Sequence, residues 1–187
     1  MVRFAALLSL AGTLAAGPAG AAIVNGGFET GNFSGWTLVT DDLTFATVSS
    51  QAPVPQSGIW GASFGSPSTL SQTVATVAGS FYALDFWLQD EADVLGAATP
   101  NSFEATWNGT TVTSLVNTAA FNYKHLTFNL AATSASTVVA FTFRNDPGFW
   151  DLDNVAVTAV PEPETWALMG LGLALLAARR RRLSTRE

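Results

Sequence analysis

Residues 81–89 read Phe81-Tyr82-Ala83-Leu84-Asp85-Phe86-Trp87-Leu88-Gln89, and large apolar side chains occupy every second position. Successive side chains of a β-strand point to opposite faces, so an alternation of this kind predicts a half-buried strand. The core-facing set is then Tyr82, Leu84, Phe86 and Leu88. The opposite face carries Asp85, Trp87 and Gln89, among which the exposed tryptophan is unusual.

Similar signals recur along residues 23–160 and predict an all-β fold. Asn108-Gly109 separates two of the segments and is a strong signal for a two-residue hairpin. No amphipathic helix interrupts the series, which favours an antiparallel β-sandwich. The predicted strands span 36–40, 43–49, 59–64, 69–77, 81–89, 102–107, 110–116, 123–130, 137–144 and 150–158.

The composition excludes several classes of function. The chain has 187 residues, of which 48% are hydrophobic and 12% charged, with a formal net charge of −6. An acidic protein lacks the basic surface that nucleic-acid binding requires. The absence of cysteine excludes disulfides, thiolate metal sites and a cysteine nucleophile. The length suits one domain.

Both ends of the chain have the features of targeting segments. Residues 1–22 combine Arg3, an apolar stretch at 4–16 and small residues after Pro18, which predicts a signal peptide for the Sec export machinery. Cleavage after Ala21 and cleavage after Ala22 are equally compatible with this pattern.

Near the other end, Val160-Pro161-Glu162-Pro163 precedes an apolar run at 165–178 and then Arg179-Arg180-Arg181-Arg182. A helix over the apolar run would extend roughly 21 Å at about 1.5 Å per residue, short of a hydrocarbon core of about 30 Å. Basic flanks stay in the cytoplasm, so we expect residues 183–187 to be a cytoplasmic tail and the preceding domain to be exported. A plain single-pass anchor is the alternative to a processed tail.

The order and spacing of these three parts resemble the PEP-CTERM sorting signal of Gram-negative bacteria, over residues 160–182. The resemblance implies an exosortase-type membrane transpeptidase that cuts near the Pro-Glu-Pro motif. It also implies anchoring in the membrane before sorting, then residence in the cell envelope or outside the cell. Such cargo is common in bacteria that make exopolysaccharide or biofilm matrix.

The domain at 23–159 resembles the galactose-binding-type jelly roll of many carbohydrate-binding modules. The resemblance rests on the opening Asn25-Gly26-Gly27-Phe28-Glu29 and the closing Leu152-Asp153-Asn154-Val155. In those modules the two acidic positions meet and hold a structural calcium ion, which implies Glu29 and Asp153 here. Calcium takes six to eight oxygen ligands, and carboxylates from both chain ends would join the termini. The alternative is that both carboxylates accept hydrogen bonds from backbone amides.

Trp87, with Asp85 and Gln89 on the same face, is the candidate contact for a polysaccharide. Packing of Trp87 beneath a loop is the alternative interpretation. Further aromatic candidates are Trp60, Trp107, Phe149 and Trp150. The connection at 89–101 carries Asp90, Glu91 and Asp93, which suit a second cation, the rim of a binding site or a solvated acidic loop.

Catalysis has little support in the sequence. The chain contains no G-x-S-x-G or H-E-x-x-H motif, and the single histidine, His125, is predicted to point away from the core. We therefore predict a non-enzymatic, polysaccharide-binding envelope or matrix protein. The alternatives are an extracellular hydrolase using acids such as Asp90 or Asp146, and a purely structural, self-associating surface protein.

Overall fold

The computed structural model describes residues 22–91, 100–161 and 169–175. Outside the described residues lie 1–21 of the predicted signal peptide, Asp93, the Glu162-Pro163 part of the sorting motif, the arginine cluster at 179–182 and the predicted tail at 183–187. Within the described ranges, ten β-strands form two five-stranded sheets. The predicted antiparallel jelly-roll sandwich is confirmed.

The strands lie close to the positions that the alternation of side chains predicts, with differences of a few residues at their ends. All strand pairs are antiparallel. The strands are β1 (Thr37–Thr40), β2 (Ala46–Ser49), β3 (Gly61–Phe64), β4 (Ser68–Ala75), β5 (Phe81–Glu91), β6 (Asn101–Trp107), β7 (Thr110–Val116), β8 (Phe121–Ala131), β9 (Ser136–Asn145) and β10 (Phe149–Ala159).

The first sheet has the strand order β1-β4-β9-β6-β7, and the second has the order β2-β3-β10-β5-β8. Each central strand buries alternate side chains, as a period of two requires. Four apolar inward residues of β5 are fully buried, and three of β9 are buried too: Tyr82, Leu84, Phe86, Leu88, Val139, Phe141 and Phe143. On the outward face of β5, Asp85 and Trp87 are half-buried.

Aromatic rings fill the space between the sheets. Phe64 of the second sheet stacks on Phe143 of the first, with 4.0 Å between ring centroids. Phe141 packs edge-on against Phe86 and also contacts Phe103. Ring contacts of this kind add to the stabilisation from burial, so the core holds the two sheets in a fixed relation.

The opening segment is attached to the last strand. Val155 N donates to Gly26 O at 2.9 Å, and Phe28 is fully buried in the core. The Trp36 indole donates to Asn25 O, which closes the turn that follows. These contacts bring Glu29 to the same side of the domain as the C-terminal part of β10.

The chain leaves the sandwich at the end of β10. Ala159 pairs with Tyr82, and Val160 N donates to Phe81 O at 2.8 Å. A helix follows at 169–175, inside the predicted apolar run. In the part of the chain that the structure describes, no helix has the length and apolar character needed to cross a membrane.

Candidate functional site

The outward face of the second sheet brings three predicted site residues near one another. The register of the three central strands places Asp153 of β10 beside Trp87 of β5, and Trp87 beside His125 of β8. One step along the sheet, Asp85 of β5 lies opposite Thr127 of β8. Cross-strand neighbours on one face are close enough for direct side-chain contact.

Trp87 and His125 form a stacked pair. Their ring centroids are 5.0 Å apart and their planes differ by 17°. Trp87 is half-buried, whereas 47% of the His125 side chain is exposed. The imidazole therefore covers part of the indole and presents an aromatic surface of its own to solvent.

Asp85 supplies a carboxylate beside this stacked pair. Its Oδ1 accepts a 2.6 Å hydrogen bond from Thr127 Oγ1 and lies 3.3 Å from His125 Nε2. These contacts fix the carboxylate and leave its second oxygen able to accept a hydrogen bond. We name Asp85, Trp87, His125 and Thr127 the platform: an aromatic surface beside fixed polar groups, the chemistry that a sugar ring needs.

Gln89 has a different environment from the platform. It is buried, and its Nε2 donates to Asp151 Oδ2 at 3.2 Å. His125, by contrast, was predicted only to point outward, and its place beside Trp87 depends on the register between β5 and β8. That register is not visible in the sequence, and no motif around His125 indicates it.

Two of the further aromatic candidates belong to the core. Trp107 and Trp150 are buried, and each indole donates to a backbone carbonyl. Trp60 lies against Gly31, and the half-buried Phe149 contacts Phe45, which is 46% exposed. A buried indole whose N–H is already bonded has little surface to offer a ligand.

Glu29 and Asp153 both bind the segment 56–60. Glu29 Oε1 accepts from Ile59 N at 3.0 Å and from Trp60 N at 3.2 Å. Asp153 Oδ2 accepts from Gln56 N at 2.9 Å and from Ser57 N at 3.2 Å. Both carboxylates therefore make the backbone hydrogen bonds that the alternative interpretation predicts.

The surroundings of Asp153 fit a cation as well. Burial raises the pKa of Asp153, hydrogen bonds from Ser57, Asn154 and Gln56 oppose the rise, and the charge of Glu29 adds to it. Two carboxylates close enough to repel each other, with oxygen lone pairs still free, are suitable calcium ligands. Among the described residues there is no group of three or more acidic or histidine side chains at one point. Backbone carbonyls would therefore have to complete a calcium shell.

Asp90 lies on the inward side of β5 and is enclosed by neutral donors. Its Oδ1 accepts from Asn145 Nδ2 at 2.7 Å, and its Oδ2 accepts from Asn101 Nδ2 and Thr118 Oγ1, both at 3.0 Å. Burial raises its pKa, and the bonds from Thr118 and Asn145 oppose the rise. Asp146 is exposed. Asp90 therefore links strands, and its geometry does not suit direct contact with a substrate.

The comparisons with known proteins assign the C-terminal segment. Residues 159–182 match the family model described as the PEP-CTERM protein-sorting motif. The match covers the Pro-Glu-Pro segment, the apolar run and the arginines. This motif indicates export and membrane-anchored sorting to the cell envelope.

The sandwich domain resembles solved carbohydrate-binding modules. The structure of TmCBM61 in complex with beta-1,4-galactotriose matches with a TM-score of 0.59 and 20% identity, over 73% of this chain and 96% of that one. A family 16 carbohydrate binding module matches with a TM-score of 0.53 and 18% identity, over 73% of this chain and 98% of that one. The CBM22-1 xylan-binding domain from Paenibacillus barcinonensis Xyn10C matches with a TM-score of 0.53 and 16% identity, over 79% of this chain and 99% of that one. At these identities the likeness establishes the fold.

No curated protein matches this sequence. The sorting motif and the sandwich occupy separate parts of the chain, so each is identified by its own evidence. The chain carries a PEP-CTERM protein-sorting motif at 159–182, which follows a β-sandwich domain with the fold of carbohydrate-binding modules.

Proposed function

We propose that this protein is a non-enzymatic polysaccharide-binding component of the cell envelope or extracellular matrix. The observation that carries the proposal is the platform, where the Trp87–His125 stack lies beside the fixed carboxylate of Asp85. The imidazole surface offers a place for the apolar face of a sugar ring. Asp85 and Thr127 offer hydrogen-bonding groups for its hydroxyls.

The charge of the domain favours a neutral glycan. Residues 23–160 contain eleven acidic residues and only two basic ones, Lys124 and Arg144, which gives the domain a net charge of −9. A polyanionic polymer would be repelled by this field. An uncharged polysaccharide, rich in hydroxyl groups and free of carboxylates, has no such penalty.

The sorting motif supports the rest of the proposal. The Sec machinery exports the chain, and the arginines at 179–182 keep its C-terminal end in the cytoplasm. The short apolar segment holds the protein in the membrane until an exosortase-type transpeptidase processes it near Pro161. A released or transferred sandwich would then retain polysaccharide of an exopolysaccharide or biofilm matrix.

The Trp87→Ala variant of the full-length protein should bind neutral polysaccharide about 30-fold more weakly, which corresponds to about 2 kcal/mol for the loss of an aromatic anchor. Affinity electrophoresis in gels containing neutral glucans, galactans or xylans measures the change. Phe81→Ala is the matched control, since Phe81 is an exposed aromatic on the same strand and the same face. Equal retention of Trp87→Ala and wild type would contradict the proposed site, and release of reducing sugar would contradict the non-enzymatic role.

We propose further that one structural calcium ion binds at Glu29 and Asp153. Removing the ion with a chelator would leave two mutually repelling carboxylates at the segment 56–60 and should lower the melting temperature by several degrees. The Glu29→Gln variant should show a smaller chelator-dependent shift than the wild type. A shift of the same size in wild type and Glu29→Gln would show that the ion, if any, lies elsewhere.

A further inference from the structure

A second pair of carboxyl groups lies on the outward face of the second sheet, separate from Glu29 and Asp153. Phe149 of β10 pairs with Glu91 of β5, and Asp151 pairs with Gln89. Glu91 and Asp151 are therefore diagonal neighbours on the same face, close enough for their carboxyl groups to interact. Asp151 is fully buried.

Both members of this pair have an oxygen with no partner. Among the described residues, the buried side-chain nitrogen and oxygen atoms without a hydrogen bond are Glu91 Oε1 and Asp151 Oδ1. Ionised carboxylates only accept hydrogen bonds, so the two groups cannot satisfy each other. A buried polar group without a partner is costly, and a buried charge without one is costlier.

Among the residues that the structure describes, no basic side chain forms an ion pair with Glu91 or Asp151. The one ion pair between described residues joins His125 to Asp85 on the platform. Asp151, Asp153 and Glu91 together raise the pKa of Tyr123 after the larger effect of burial. A single proton would neutralise one of these carboxylates, whereas a divalent cation neutralises two.

The remaining groups around Asp151 can supply oxygen ligands. Ser63 of β3 lies opposite Asp151 in the strand register, and the Gln89 amide donates to Asp151 Oδ2. A serine hydroxyl also accepts, and an amide presents oxygen when it turns over. Two bidentate carboxylates, a hydroxyl and an amide oxygen reach the lower end of the six to eight oxygens that calcium takes.

We propose that Glu91 and Asp151 bind a divalent cation of calcium type, which links β5 to β10 at the outward face of the second sheet. The unpartnered, buried Asp151 Oδ1 is the observation that carries this site. The site does not depend on glycan binding, and its test involves no glycan.

The test is calcium titration of the full-length protein in detergent micelles by isothermal calorimetry, with thermal melts in calcium and in chelator. We expect Asp151→Asn and Glu91→Gln each to lose one equivalent of calcium, whereas Glu29→Gln retains that equivalent. In chelator, Asp151→Asn should melt higher than wild type because the repulsion is gone. In millimolar calcium, the wild type should melt at a higher temperature than Asp151→Asn.

Two results overturn the proposal. The first is a wild-type protein that binds no calcium, which would leave a shared proton as the way the pair is neutralised. The second is an unchanged calcium stoichiometry in both Glu91→Gln and Asp151→Asn. Should either variant fail to fold, the Glu29→Gln protein still decides, because its melting temperature must rise with calcium if the second site exists.

Discussion

Replacing Asp90 with alanine should lower the free energy of unfolding by about 3–5 kcal/mol. Asp90 is 2% exposed and accepts hydrogen bonds from Asn101, Thr118 and Asn145. The alanine variant removes the acceptor that these three groups share and leaves a cavity in its place. Urea denaturation of the full-length protein measures the loss, and it should appear as a lower midpoint with an unchanged slope.

Two further variants test whether the loss of stability is specific to the Asp90 carboxylate. Asp90→Asn keeps the shape and one acceptor oxygen, so its loss should fall between wild type and alanine. Asp41→Ala removes an exposed acid and should change the free energy of unfolding by less than about 0.5 kcal/mol. If Asp90→Ala costs no more than Asp41→Ala, the carboxylate does not link these strands.

The position of Asp90 shows what the sequence could not predict. The alternation in 81–89 predicts which side chains of β5 face the core, and Asp90 continues the inward set by parity. Its neighbours, however, come from β6, β9 and the segment after β7, which are far away in the chain. We expected Asp90 in the connection after the strand, in a solvated acidic loop or a cation site. Instead β5 continues to Glu91 and buries Asp90, and only the tertiary structure shows the donors that satisfy it.

The platform shows the same division. Side-chain alternation places Asp85 and Trp87 on one face, and that much was predictable because a strand has a strict period of two. His125 reaches Trp87 only because β8 joins the edge of the second sheet beside β5, in one particular register. No short sequence pattern encodes the long-range order of strands, so the contact between His125 and Trp87 could not be predicted.

The pairing of the chain ends was suggested by resemblance alone. Glu29 and Asp153 do converge on the segment 56–60, although the intervening contacts are made by that segment's backbone amides. Backbone donors leave little trace in a sequence, because nearly any residue type supplies an N–H. The carboxylates were therefore easier to predict than what they bind.

The Gly26→Ala substitution should destabilise the domain by at least about 3 kcal/mol or prevent folding. A Cβ at Gly26 would overlap the carbonyl oxygen of Val155, and the same two residues share the backbone hydrogen bond from Val155 N to Gly26 O. Because the Cβ is fixed to the backbone of residue 26 and the contact is with the backbone of Val155, neither group can move aside as a flexible side chain can. The variant must therefore separate the opening segment from β10 or distort the last strand.

Gly27→Ala is the matched control for this prediction. A Cβ at Gly27 would lie 3.4 Å from Asn154 Oδ1 and 3.8 Å from Asp153 Oδ1, which is ordinary van der Waals contact. We expect this neighbouring variant to fold with a loss below about 1 kcal/mol. Thermal melts of the two full-length variants separate the cases. Similar melting temperatures for both would mean that the opening segment is not held against Val155, and the argument that Glu29 is positioned beside Asp153 would lose its basis.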